Sequence, residues 1–167
     1  MKLNKLYLGV VFLFLAIFIS GCSREKVDMN VLSDDNQFHY QNRDLKFAID
    51  LPADFIYYQT QRKNEANYID VEFFVPTTDT DYFQEVSGYA KPIVVRVFKQ
   101  DYWNKLENDS AEFDVEFNAL VGDSDEIFSG KDDYVYVVKY WGVIPGDWQE
   151  KWSNEMKDKI SRSFKAN

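Results

Sequence analysis

The apolar and polar positions of this chain fall into three zones. Residues 6–19 are apolar apart from Gly9 and carry no charge, whereas residues 23–37 are polar, lack aromatic side chains and follow no sustained period. From residue 38 onward, apolar residues either alternate with polar ones, which predicts strands, or recur every three to four positions, which predicts helices. We therefore expect an apolar N-terminal segment, a flexible tether and a single folded domain over residues 38–167.

Strand period dominates the first half of the domain. Residues 45–51 place every second, apolar side chain on one face, and Pro52 ends this strand because proline has no N–H to donate to a sheet. Residues 93–98 are apolar on nearly both faces, which indicates a strand in the middle of a sheet. The predicted strands are residues 38–41, 45–51, 56–61, 68–75 and 93–98, with the third and fourth paired as a hairpin.

The second half mixes strands and helices. Asp101 is the predicted N-cap of a short helix, and residues 126–129 and 134–141 predict a second hairpin. Residues 109–121 fit both a helical and an alternating pattern, so the sequence leaves their structure open. The last segment predicts a long C-terminal helix that Asp147 caps and whose apolar stripe packs on the sheet. That stripe consists of Trp148, Trp152, Met156, Ile160 and Phe164.

The N-terminal segment has the layout of a secretory signal. Two lysines precede the 14 apolar residues of 6–19, which are fewer than the about 20 needed to span a bilayer as a helix. The segment ends in Ile19-Ser20-Gly21-Cys22, which resembles the lipobox of bacterial lipoproteins: an aliphatic residue, two small residues and an obligatory cysteine. The resemblance implies cleavage between Gly21 and Cys22 and a diacylglyceryl group on the Cys22 thiol. The alternative is an uncleaved transmembrane anchor with an incidental cysteine.

Charge and cysteine content bear on this division. Removing residues 1–21, the expected signal peptide, removes two lysines and no acid, which leaves 17 basic against 28 acidic side chains and a formal charge of −11. So acidic a domain argues against a nucleic-acid partner. Cys22 is the single cysteine, so packing without disulfides must hold the domain together. Residues 22–37 then form a lipidated tether on the extracytoplasmic face of a bacterial cell membrane, with inner and outer membrane left open.

Two short motifs bracket the domain. Phe47, Ile49 and Pro52 form an F-x-I-x-x-P motif, and residues 160–165 form an I-x-x-S-F-K motif. Both are similar to the opening and closing motifs of PsbP-like domains, and the resemblance implies an α/β/α sandwich that serves as a binding or docking module. It carries over no catalytic residue. The residue pattern itself predicts an α+β fold, an antiparallel β-sheet covered by a long C-terminal helix and by one or two short helices.

Side chains that commonly perform catalysis are scarce. His39 is the one histidine, and we expect it to be structural or solvent-exposed, so a nucleophilic triad is not predicted. Zinc sites need several His or Cys ligands, which the chain lacks. Acidic residues are abundant, and Asp123, Asp125 and Glu126 are weak candidates for Ca²⁺ ligands, although a solvated acidic loop explains them more simply. We therefore expect no cofactor.

Aromatic residues make up 17% of the chain, which calls for an explanation beyond an ordinary core. Trp148 and Trp152 lie one helical turn apart on the apolar stripe, so we expect them in the core. Other tyrosines are less constrained by the pattern and are predicted to line a surface groove, since Tyr is enriched at protein interfaces and its ring offers a stacking surface. These are Tyr57, Tyr58, Tyr82, Tyr89 and Tyr102.

The sequence thus favours a non-catalytic binding or docking module that diacylglyceryl-Cys22 holds at the membrane. Its ligand is expected to be a protein or a small molecule. Two alternatives stay open. One is an acid-based or Ca²⁺-assisted hydrolase acting on cell-wall or saccharide substrates, and the other is a structural subunit of an envelope complex.

Overall fold

The computed structural model describes residues 30–106, 125–130 and 133–166. Within these ranges, eight β-strands form two antiparallel sheets, accompanied by two α-helices. The segment 109–121, which the sequence leaves open between helix and strand, lies outside the described residues. In chain order the elements are β1 (Gln37–Asn42), β2 (Phe47–Pro52), β3 (Gln59–Asn64), β4 (Tyr68–Pro76), β5 (Tyr89–Lys99), α1 (Gln100–Leu106), β6 (Asp125–Ser129), β7 (Tyr134–Tyr140), α2 (Asn154–Ser163) and β8 (Lys165–Ala166).

The smaller sheet has the order β1-β2-β8. The alternation in β2 is confirmed, because Phe47, Ile49 and Leu51 are fully buried while the side chains between them are half-buried. The turn from β1 to β2 is closed by Asn42, whose Oδ1 accepts a hydrogen bond from the Leu45 N–H at 2.9 Å. This sheet therefore presents one apolar face to the rest of the domain.

The larger sheet has the order β3-β4-β5-β7-β6. Both predicted hairpins are confirmed, β3 with β4 and β6 with β7, although β3 begins at Gln59 instead of residue 56. β5 lies in the centre of the sheet, as its two apolar faces predict, and every side chain from Ile93 to Phe98 is buried. The prediction of one sheet was wrong, because β1, β2 and β8 pair only with one another.

The main core lies where the inner faces of the two sheets and α2 meet. Phe47 of the smaller sheet stacks on Phe164 with ring centres 5.6 Å apart and meets the edge of Tyr136 at 5.9 Å. The Tyr136 hydroxyl donates a hydrogen bond to the Leu45 carbonyl at 2.8 Å, which joins β7 to the turn before β2. Aromatic pairs of this kind add to the free energy gained by burial alone.

The opposite face of the larger sheet carries a buried ion pair. Arg96 donates two hydrogen bonds of 2.8 Å to the Asp70 carboxylate, and the two residues are neighbours in the β4–β5 register. The guanidinium carbon lies 3.5 Å from the centre of the Tyr68 ring. Next to them, α1 packs Trp103 against Phe98 at 5.3 Å. Removing one partner of such a buried pair typically costs about 3–5 kcal/mol, because the other charge is left buried without its partner.

The C-terminal helix is shorter than predicted. α2 has ten residues, and its N-cap is Ser153, whose hydroxyl accepts a hydrogen bond from the Met156 N–H at 3.1 Å. Asp147 does not cap it, because its carboxylate is hydrogen-bonded to Thr77 and Thr78 instead. The predicted stripe still faces the core, although only part of it belongs to α2. Trp148, Ile160 and Phe164 are buried, and Trp152 and Met156 are half-buried.

The start of the domain and of α1 also differ in detail from the sequence expectation. Residues 30–36 form a turn in which the Asn36 N–H donates to the Ser33 carbonyl at 2.9 Å, so ordered structure precedes Phe38. α1 begins at Gln100, which places Asp101 in its first turn and not at its N-cap. No helix in the described ranges is both long and apolar enough to cross a membrane.

Candidate functional site

Two surface cavities adjoin at Tyr89, which lines both. The first, here the Tyr57 cavity, has a volume of about 650 Å³ and lies between the 30–32 segment, β1 and the turn before β3. The second, here the Tyr82 cavity, has a volume of about 340 Å³ and lies between β4, β5 and the loop of residues 77–88. The structure thus brings together four of the predicted tyrosines: Tyr57 and Tyr58 line the first cavity, Tyr82 the second and Tyr89 both.

The backbone before β3 turns the Tyr57 ring out of the domain. A 3-10 turn, Ala53–Phe55, is followed by Tyr57 in the left-handed region at φ 64°, an unusual conformation for a bulky residue. As a result the Tyr57 side chain is 75% exposed, and Ile56 beside it is 51% exposed. Tyr58 points the other way and is buried against the Phe38 ring at 5.6 Å. The turn therefore exposes the side chains of Ile56 and Tyr57, while the buried Tyr58 fixes it to the core.

Two aspartates hold the loop that forms the Tyr82 cavity. Asp79 accepts hydrogen bonds from the Gly146 N–H at 2.7 Å, from the Asp81 N–H at 2.9 Å and from the Tyr82 N–H at 3.2 Å. These bonds, the one from Gly146 foremost, lower the pKa of Asp79. In the opposite direction, Asp147 of the 145–148 segment accepts a hydrogen bond from the Thr77 hydroxyl of the loop at 2.7 Å. The two carboxylates thus link the 77–88 loop to the 145–148 segment and fix the shape of the cavity.

The floor and the outer wall of the Tyr82 cavity are aromatic or apolar. Trp141 is buried and lies edge-on to Trp152 at 5.1 Å and to Trp148 at 5.7 Å. Its indole N–H has no acceptor among the described residues. Phe83 and Val143 stand on the outer wall, where their side chains are 83% and 66% exposed. The cavity therefore combines a rigid aromatic floor with two apolar groups that project into solvent.

Lysine and glutamate side chains form a network beside this cavity. Lys91 lies 2.9 Å from Glu72 and 2.5 Å from Glu85, while Lys63 lies 2.9 Å from Glu72 and 3.3 Å from Glu85. The hydrogen bond from Lys91 is the main cause that lowers the pKa of Glu85. Burial acts to lower the pKa of Lys63, but the two glutamates outweigh it and raise that pKa overall. The raised pKa of Lys63 and the lowered pKa of Glu85 both favour the charged forms of these two side chains.

The fifth predicted tyrosine, Tyr102, lies apart from the other four. It belongs to α1 and stacks on Phe98 with ring centres 6.4 Å apart, in the smaller core on the opposite face of the larger sheet. The structure therefore gives Tyr102 a packing environment and not a place at either cavity.

A second polar cluster surrounds His39. Its Nδ1 lies 2.7 Å from Asp50 Oδ1, and its Nε2 lies 3.1 Å from Ser33 Oγ, which is the order of a Ser-His-Asp triad. The sequence did not indicate this cluster, because Ser33 falls in the segment predicted to be a tether. The cluster differs from a triad because a second carboxylate, Asp35, also contacts the ring, with its Oδ2 3.3 Å from His39 Nε2.

The electrostatics of this cluster favour a protonated imidazole. The hydrogen bond to Asp50 is the main cause that raises the pKa of His39, with the charges of Asp50 and Asp35 acting in the same direction against a smaller effect of burial. The Ser33 hydroxyl donates to the Gln37 carbonyl at 2.7 Å. An imidazolium between two carboxylates is a poor base for a serine proton. The cluster therefore acts as an ionic clamp between residues 30–36 and β2.

The structure describes only the backbone of two of the three predicted calcium ligands. Asp125 and Glu126 are consecutive residues of β6, paired in register with Lys139 and Val138, and their side chains lie outside the described part of the chain, as does Asp123 altogether. Among the side chains that the structure describes, no group of three or more His, Cys, Asp or Glu residues is arranged to hold a metal ion. The calcium assignment stays a prediction.

Sequence reasoning missed the non-tyrosine members of the site. Phe83 and Val143 come from loops that are 60 positions apart, and neither belongs to a periodic segment that would reveal its face. Cys22 and the signal segment lie outside the described residues. No protein-family model matches the chain, and neither a curated protein nor a solved structure matches it.

Proposed function

We propose that the protein is a lipid-anchored, extracytoplasmic binding module whose partner docks at the Tyr82 cavity. One observation carries the proposal. Of the seven large hydrophobic side chains that are exposed in the described part of the chain, the two most exposed loop residues beside Trp141, Phe83 and Val143, line the Tyr82 cavity together, and three more line the Tyr57 cavity that adjoins it at Tyr89. Exposed apolar groups that cluster in this way mark interaction surfaces, whereas singly scattered ones do not. The five are Leu32, Ile56, Tyr57, Phe83 and Val143.

The form of the Tyr82 cavity favours a protein partner over a small molecule. Small-molecule sites enclose most of their ligand, whereas Phe83 and Val143 project outward beside the floor formed by Trp141. Protein interfaces commonly place such apolar anchors at their centre and surround them with polar groups. The Lys91–Glu85 pair supplies that polar edge here. The partner is therefore a protein that presents an apolar side chain to this cavity.

The anchoring half of the proposal is supported by the sequence. The lipobox Ile19-Ser20-Gly21-Cys22 implies a diacylglyceryl group on Cys22, and residues 1–21 are then the signal peptide that is removed. The proposal covers the extracytoplasmic face of the inner or of the outer membrane of a bacterial cell. A permanent subunit of an envelope complex would use the same surface and differ only in how long its partner stays bound.

The PsbP-like relationship is the finer fold assignment that we propose. Its two motifs contact each other, since the Asp50 N–H donates to Ser163 Oγ at 2.9 Å and Phe47 stacks on Phe164 at 5.6 Å. The two motifs, which are far apart in the sequence, thus lie in contact with each other beside β2. The acid-based or Ca²⁺-assisted hydrolase stays the alternative from another class, with Asp123, Asp125 and Glu126 as its predicted Ca²⁺ ligands.

Site-specific photo-crosslinking tests the docking proposal. Phe83 is replaced by p-benzoylphenylalanine in the full-length protein in its own cells, and Ile127 is replaced in the same way as a control. Ile127 is a matched control because it is also an exposed large hydrophobic residue, 51% exposed, but lies on β6 outside both cavities. We expect a discrete protein adduct from position 83 and none from position 127. No adduct at 83, or the same adducts at both positions, would contradict a protein partner at this cavity.

A further inference from the structure

We propose that a second part of this surface, the Tyr57 patch, rests on the lipid bilayer to which the chain is anchored. The patch consists of Val31, Leu32, Ile56 and Tyr57, which are 58%, 41%, 51% and 75% exposed. The inference rests on the lipid anchoring proposed above and adds to it a defined orientation of the domain. It leaves the Tyr82 cavity, on the other side of Tyr89, for the protein partner.

The chemistry of the patch suits a membrane interface. The Tyr57 cavity, which borders the patch, is lined by apolar, tyrosine and amide side chains and by no charged residue. Along the chain the nearest described carboxylates are Asp34, two residues after Leu32, and Asp54, two residues before Ile56, and neither lines the Tyr57 cavity. Aliphatic side chains beside a tyrosine are the combination that sits at the level of lipid headgroups, because the ring has an apolar body and a polar end. Within a chain whose residues 22–167 carry a formal charge of −11, an uncharged patch is the part that an anionic leaflet repels least.

The length of the chain before the domain places the patch close to the lipid. Eight residue steps separate Cys22 from Asn30, the first described residue, and an extended chain spans at most about 3.3–3.6 Å per residue, so the reach is about 28 Å. Asn30 itself lines the Tyr57 cavity, and Val31 and Leu32 follow it directly. The anchor therefore enters the domain at the patch.

Because the chain between the lipid on Cys22 and the domain is short, the patch does not need to bind the membrane strongly. Without a tether, four partly exposed side chains would bind a vesicle only weakly, as a single acyl chain does. Tethering turns the contact into an intramolecular one with an effective concentration in the millimolar range. The turn that presents Ile56 and Tyr57 is held rigid by the buried Tyr58, so little conformational freedom is lost on contact.

Lipid quenching of a label in the patch tests the inference. Cys22 is the only cysteine of the chain, and its thiol is consumed by the lipid, so a cysteine introduced by Ile56→Cys is the single site for a thiol-reactive environment-sensitive dye. The full-length processed protein is reconstituted into vesicles of phosphatidylethanolamine and phosphatidylglycerol that contain doxyl-labelled lipid. Ile127→Cys, equally exposed at 51% but on β6, is the matched control. We expect at least twofold stronger quenching by doxyl lipid at position 56 than at position 127, and loss of that difference when Tyr57→Glu is added.

The outcomes separate this inference from the anchoring on which it rests. Dye uptake by the wild-type protein would show a free Cys22 thiol and overturn the anchoring itself. A wild-type protein without dye, combined with equal quenching at positions 56 and 127, would overturn the patch contact alone. A blue-shifted dye at position 56 without lipid quenching would also overturn it, because another protein or a second copy of the chain would then cover the patch.

Discussion

His39 connects the turn of residues 30–36 to β2, since its ring lies between Asp35 and Asp50. The hydrogen bond to Asp50 raises the pKa of His39 above its ordinary value of 6.5. Because the pKa is higher in the folded than in the unfolded chain, protonation stabilises the fold. The stabilisation is complete below about pH 6.5 and is lost as the pH rises through the raised pKa. His39 therefore holds the turn of residues 30–36 against β2 more tightly in acid than in alkali.

We predict that His39→Gln lowers the midpoint of thermal unfolding more at pH 5.5 than at pH 8.5, because the substitution removes a charge that is present only at the lower pH. Thermal denaturation followed by circular dichroism at both pH values measures the difference. Arg162→Gln is the control, since Arg162 is an exposed basic residue whose ion-pair partner, Asp158 at 3.9 Å, is not part of the His39 cluster. A deficit for His39→Gln that is constant or grows toward pH 8.5 would contradict the clamp.

At the scale of elements, periodic strands were predictable because each period reports a buried face. β2 and β5 followed the alternation of apolar residues, and both hairpins lay close to the predicted positions. The division into two sheets was not predictable, because alternation shows that a strand has a buried face but does not show which strand lies beside it. The Tyr82 cavity escaped prediction for a similar reason: Tyr82, Phe83 and Val143 are in irregular segments that only the fold brings together.

The length of α2 was misjudged because an apolar stripe spaced by four residues continues across a break in the helix. Trp148 and Trp152 are still joined by one helical hydrogen bond, from the Trp152 N–H to the Trp148 carbonyl at 2.8 Å. At Ser153 the backbone is extended, with φ −124° and ψ 161°, and a new helix begins behind it. Serine is among the preferred N-cap residues, and its side chain satisfies an otherwise unpaired N–H of the first turn. Packing therefore kept the stripe while capping decided where the helix starts.

We predict that Ser153→Ala lowers the free energy of unfolding by about 1 kcal/mol, because the Met156 N–H loses its acceptor. Chemical denaturation of the protein measures this loss. Asn154→Ala, one position further on and equally exposed, serves as the control and is expected to change stability by less than about 0.5 kcal/mol. Equal stability of Ser153→Ala and the wild type would show that Ser153 does not limit the start of α2.

At the scale of the whole molecule, the proposals divide one surface between two neighbours. Asn30, the first described residue, lies beside the Tyr57 patch, and Tyr89 separates this part of the surface from the Tyr82 cavity. The Tyr89 hydroxyl accepts a hydrogen bond from the Gln59 side chain at 2.7 Å, which ties β5 to β3 at the boundary between the two cavities. The two proposals thus place the membrane contact and the protein contact side by side, with Tyr89 between them.

The proposed membrane contact depends on Cys22, because the sequence offers this thiol as the nucleophile that takes the diacylglyceryl group. We predict that Cys22→Ser abolishes metabolic labelling with a fatty acid and leaves the precursor unprocessed, since a serine hydroxyl is a far weaker nucleophile than a thiolate. Electrophoresis of radiolabelled cells shows both effects, as lost label and as retained mass of residues 1–21. Ser23→Ala is the control, because it changes the neighbouring residue and keeps the thiol. A Cys22→Ser protein that is processed normally and released in soluble form would contradict the lipobox assignment and, with it, the orientation of the domain on the membrane.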